Sequence, residues 1–151
     1  MMRRSELLAN TVVGGIGAVG QALLLAHALE SYPFKILWSP PADFYSTVGR
    51  ALIFVAPILS LAALATFRSI KAPFFTAIPV VACPLIFFTV FQITFALCGY
   101  QYTSVGSDLI AAKEIETGFS HFVLWLTVFG FVIGIFCGSI IRFVSAKLRR
   151  V

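Results

Sequence analysis

The sequence predicts an all-α polytopic membrane protein, an antiparallel bundle of four transmembrane helices with both termini on the cytoplasmic side. Three observations predict it. Apolar residues make up 60% of the 151-residue chain and charged residues only 11%, against about 25% charged in an average soluble domain. So few charges cannot cover a water-facing surface, whereas a lipid-facing surface needs none. Four runs are nearly free of charge and long enough to cross about 30 Å of hydrocarbon, which takes about 20 helical residues. The basic residues are also shared unequally between the flanks of those runs. The length suits a single transmembrane domain over residues 1–151.

The first expected span covers residues 7–29, from Leu7 to Leu29, behind Arg3 and Arg4. That basic start, the apolar run and Ala26-His27-Ala28 resemble a cleavable signal peptide with an A-x-A site. The run is long and glycine-rich for that purpose, so retention is expected. The second span, residues 47–67, carries Arg50 near its outer edge and Pro57 inside. The third, residues 74–97, follows Pro73 and contains Pro79 and Pro84. Each internal proline frees the carbonyl four residues back and bends its helix, more often to fit a bundle than to gate one. The fourth span, residues 119–141, ends at Arg142. Barrel strands are excluded, because they are about ten residues long and alternate in polarity.

The connections follow from the same reading. Arg68 to Lys71 form a tight inner loop that makes the second and third helices antiparallel neighbours. The outer loops are expected over residues 30–46 and 98–118. The first holds Pro33, Pro40 and Pro41 with Tyr32, Phe34 and Trp38, a composition suited to the headgroup layer. In the second, Ser107 and Gly118 are expected to cap a short surface helix over 108–117, resting on Leu109, Ile110 and Ile115.

Orientation comes from counting basic residues. Arg3, Arg4, Arg68, Lys71, Arg142, Lys147, Arg149 and Arg150 fall on one side, and Lys35, Arg50 and Lys113 on the other. Glu30, Asp43, Asp108, Glu114 and Glu116 also lie on the second side. The positive-inside bias therefore places both termini in the cytoplasm, in a plasma membrane or a bacterial inner membrane. The net charge of +5 is accounted for by these flanks rather than by a nucleic-acid-binding patch.

Small residues mark the first and fourth helices. Asn10, Gly14, Ala18, Ala22 and Ala26 recur every fourth residue, as do Gly130, Gly134 and Gly138, a doubled GxxxG. Such stripes let helix backbones approach closely in lipid. The two helices are expected to pack through them, although a stripe of this kind serves a partner from another chain equally well. Gly15-Ile16-Gly17-Ala18-Val19-Gly20 has the letters of a dinucleotide fingerprint. It lacks the preceding strand and the acid about 20 residues on, and backbone amides inside a membrane helix are already bonded. No nucleotide is expected.

Candidate ligands are few. His27 and His121 fall near the outer face on two different helices, a placement that suits haem b ligated from both sides, or a quinone head. The plainer reading is two interfacial histidines reaching wet headgroups. Gln21 and Gln92, both expected in the outer half, could join them in a shallow outward pocket or simply bond to neighbouring helices. Cys83, Cys98 and Cys137 show no paired spacing and read as small apolar fillers. No metal site follows from them.

No Asp, Glu or Lys lies deep in any expected span, which disfavours an ion-coupled pump contained in this chain. No nucleophile–base pair, carboxylate pair or HExxH appears, so no catalytic residue is assigned. The expectation is a non-catalytic subunit or assembly partner of a larger membrane complex, in contact with the lipid bilayer and with other membrane subunits or itself. The alternatives are an oligomeric channel or transporter component and a haem- or quinone-binding electron-transfer subunit.

Overall fold

The computed structural model describes residues 4–30, 42–67, 70, 72–97 and 109–148. Tyr32, Pro33, Phe34, Trp38, Arg68, Lys71 and Cys98 lie outside the described residues, as do the side chains of Leu109, Ile110 and Ile115. The architecture is all-helical, with no strand among the described residues. Four helices follow one another: α1 (Arg4–Glu30), α2 (Ala42–Leu64), α3 (Ala72–Leu97) and α4 (Leu109–Lys147). Each is long and apolar enough to cross a membrane.

The helix ends differ from expectation where local chemistry allows more helix or less. α2 starts at Ala42, directly after Pro40 and Pro41, because proline is excluded from helix interiors but not from the approach to a first turn. It stops at Leu64, short of the expected Phe67. The amides of Ala65, Thr66 and Phe67 donate to the carbonyls of Ala62, Ala63 and Leu64 at 3.0, 3.1 and 3.2 Å. These i→i+3 bonds tighten the end of the helix and satisfy its last carbonyls. The larger difference is in α4. Gly118 does not end a separate surface helix; it lies within one helix of 39 residues. A glycine inside a helix costs about 1 kcal/mol relative to alanine, which does not suffice to stop a helix whose flanks on both sides favour continuing.

α3 holds the bundle together. It packs most extensively on α4, then on α1, then on α2, while α1 also meets α2 and, less, α4. Accordingly α3 is the most covered of the four spans and α4 the least. The contacts have a clear register. Gly14 lies against Thr76 and Pro79, Gly17 against Val80, and Ala18 against Cys83, so they climb α1 and α3 together. Gly130, Gly134 and Gly138 lie against Val80, Ala77 and Pro73, so they climb α4 while descending α3. Gly15 against Leu61 and Gly49 against Leu29 run in opposite senses along α1 and α2.

The small-residue stripes of α1 and α4 thus both face α3, rather than chiefly each other. The physical reason is that α3 offers matching relief. Pro73, Ala77, Val80 and Pro84 recur at spacings of four, three and four residues, which places them along one helix face. The buried side chains also change along the bundle. At the end marked by Asn10, Thr76 and Gly138 the buried residues include polar side chains beside Phe75 and Leu64; at the other end Phe87, Phe91 and Phe119 are fully buried. The Phe119 ring sits 6.0 Å from Phe88 and 6.4 Å from Phe91, both tilted, in the range of favourable aromatic pairs.

Candidate functional site

The polar chemistry of the interior is concentrated where α1, α3 and α4 meet. At one end, Asn10 and Thr76 are wholly buried and Glu6 is 6% exposed. Thr76 Oγ1 donates to Asn10 Oδ1. Asn10 Nδ2 in turn donates to the Glu6 carbonyl one turn earlier at 2.6 Å. Gly138 makes room for this pair, since a Cβ there would lie 2.9 Å from Thr76 Oγ1 and 2.8 Å from Pro73 Cα. The chain of bonds ties α3 to α1 under the glycine stripe of α4.

About two turns further along, Cys83 Sγ donates to the Ala18 carbonyl at 3.1 Å. Cys83 is therefore more than a filler, because its thiol bridges α3 and α1. Gln21 is 8% exposed and reaches from α1 to α4, where Nε2 donates to the Leu126 carbonyl at 3.3 Å. Its Oε1 accepts no hydrogen bond. The amide rests on Gly130, where a Cβ would lie 3.1 Å from Gln21 Nε2, 2.9 Å from a Val80 methyl and 3.2 Å from the Val80 carbonyl oxygen. That carbonyl has no helical donor four residues on, because Pro84 has no N–H.

The other sequence-singled residues fall elsewhere. Gly14, Ala18 and Ala22 are buried on the inner face of α1, and Gly130, Gly134 and Gly138 on that of α4. His27 and His121 stand on exposed faces of α1 and α4, with buried Ala26, Ala28, Phe119 and Val123 beside them in sequence. Neither imidazole enters the packed interior. The Gln21 amide reaches back to Gly130 and Val80, while the residue itself stands three positions beyond the Ala18–Cys83 contact, so half-buried Gln92 lies about six residues further along α3, about 9 Å at 1.5 Å per residue. Among the described residues no group of three His, Cys, Asp or Glu side chains has the geometry to hold a metal.

Sequence reasoning missed Thr76 and took Asn10 for a member of a smooth stripe. A signal was present: an amide every bit as buried by position as Gly14 and Ala18 needs a partner, and Thr76 shares the stretch of α3 that holds Pro73, Ala77 and Pro79. What this arrangement does chemically is clear. Its hydroxyl, amide and thiol join helices, and each reaches a backbone or side-chain group of the same chain. No family model, curated protein or solved structure matches the chain.

Proposed function

We propose that this chain is a non-catalytic, membrane-inserted subunit or assembly partner of a larger membrane complex. The observation that carries the reading is how its buried polar groups are used. Thr76–Asn10, Cys83–Ala18 and Gln21–Leu126 all connect helices, as expected of polar residues that hold a membrane bundle together. The four apolar helices fit lipid, and the contact registers fit an antiparallel bundle. The doubled GxxxG of α4 then serves packing inside the chain, against α3. The basic excess on the flanks of one end supports cytoplasmic termini. Contact with other subunits falls to α4, whose outward face carries exposed Trp125, Phe129 and Phe136 and is the least covered by its own chain.

The test is native electrophoresis of the full chain after mild detergent extraction from its own membrane. Migration with other polypeptides, disrupted by polar replacements on the outward face of α4, is the expected result. A clean monomer under every mild detergent would refute it. Orientation is tested separately by labelling single cysteines placed near each end, and a C-terminus reachable only from outside intact cells would overturn the proposed topology.

A further inference from the structure

Among the described residues, α4 extends furthest at the end that carries Glu6, Pro73 and Gly138. Gly138 is the last stripe glycine, packed on Pro73 at the start of α3. The helix continues to Lys147, nine residues or about 14 Å beyond that contact. This overhang carries exposed Arg142 and Lys147 together with Phe143 at 70% exposed and Leu148 at 73%. Arg4 belongs to the same level. It stands six residues before Asn10, which bonds Thr76, while Arg142 stands four residues after Gly138, which also meets Thr76. By helical rise the two guanidinium-bearing positions differ in depth by about 3 Å. Glu6, the acidic residue at this level among the described residues, is buried, so the surface there is basic.

Basic and bulky apolar side chains exposed on one helical stub suit neither hydrocarbon nor bulk water. They suit the headgroup layer, where the apolar groups dip toward acyl chains and the charges stay among phosphates. We propose that the overhang of α4, together with Arg4, is a binding surface for anionic phospholipid headgroups of the adjoining leaflet. The proposal rests on the membrane-spanning reading above and adds to it a lipid preference. The attraction comes from the summed charge near the surface, with Arg142 supplying the planar fork that matches a phosphate.

The test uses the purified full chain in two steps. Flotation with pure phosphatidylcholine vesicles and resistance to alkaline carbonate reports insertion alone. Native mass spectrometry in detergent then compares retention of phosphatidylglycerol with that of phosphatidylcholine. Phosphatidylglycerol should be retained preferentially. At low salt R142Q/K147Q should lower that retention about 25-fold, from about fivefold per basic side chain, with helicity by circular dichroism unchanged. F143S/L148S, which keeps the charge, should also lower it. Equal retention of the two lipids, a preference untouched by R142Q/K147Q, or full displacement by millimolar inorganic phosphate would each overturn the proposal while leaving insertion intact. A chain that fails to float would overturn the membrane reading, and this proposal with it.

Discussion

Replacing Gly134 by alanine should loosen the α3–α4 contact more than the same change anywhere else in the glycine series. A Cβ at Gly134 would lie 2.5 Å from Ala77 Cα, 2.8 Å from Ala77 Cβ and 3.1 Å from the Ala77 nitrogen. Non-bonded carbons settle at about 3.5–4.0 Å, so the two helices must separate locally by about 1 Å. No rotamer change relieves the clash, because the opposing atoms are backbone and a methyl carbon fixed to it. Overpacking of this kind costs about 1–3 kcal/mol, partly offset by up to about 1 kcal/mol of better helix propensity. The net expectation is a loss of about 1–2 kcal/mol.

Gly20 is the internal control, since a Cβ there meets nothing within 4 Å, and Gly20→Ala should be neutral or slightly stabilising. Gly138→Ala should fall close behind Gly134→Ala, because its Cβ would meet Pro73 Cα and oxygen at 2.8 Å. Gly130→Ala should be milder, since its nearest backbone obstacle, the Val80 carbonyl oxygen, is 3.2 Å away, against 2.5 Å at Gly134 and 2.8 Å at Gly138. Reversible unfolding in mixed micelles, followed by circular dichroism, ranks the four variants. A Gly134→Ala protein as stable as Gly20→Ala would refute the reasoning, because it would mean that α4 does not lie on α3 at this register.

Further changes test other parts of the structure. In a double-mutant cycle, Asn10→Ala and Thr76→Val should show a coupling of about 0.5–1.5 kcal/mol, the range for hydrogen bonds between membrane helices; additive losses would argue against the bond. Gln21→Met removes a buried acceptor that has no partner, a group whose burial costs about 1–3 kcal/mol, together with the bond to the Leu126 carbonyl, worth about 0.6 kcal/mol between membrane helices, so unfolding should show equal or slightly greater stability. A clear loss instead would mean that the bond to Leu126 outweighs the unpaired acceptor, or that Oε1 finds a donor in the native protein. Gly118→Ala should raise helix stability by up to about 1 kcal/mol, read by slower hydrogen exchange across residues 114–122. Weakened protection there would mean that Gly118 is a helix cap after all.

The four helices were legible because hydropathy over about 20 residues is a local property that each run carries by itself. The four helices appear where the apolar runs are, and the disagreements sit at their ends. Gly118 was misread because a glycine flanked by charged and polar residues looks the same whether the helix stops there or continues. The contacts were less legible. Gly14 and Gly138 announce close approach but not which helix approaches. That choice depends on the relief of the partner face, which in α3 is written in prolines that read first as kinks. Thr76 gave no periodic signal at all; only the buried amide of Asn10 required it.

The central place of α3 follows from the same prolines. A helix with Pro79 and Pro84 leaves the carbonyls of Phe75 and Val80 without their usual donors, and in hydrocarbon each such group is costly. A lipid-facing position would leave them so, whereas a central position surrounds them with other helices. At Val80 the close neighbour is Gly130: the carbonyl oxygen lies 3.2 Å from where a Gly130 Cβ would be. Any side chain at position 130 would push α4 off this oxygen. The glycines of α4 and the prolines of α3 are in this sense one device: the prolines create the need for a close neighbour, and the glycines allow one to come close enough.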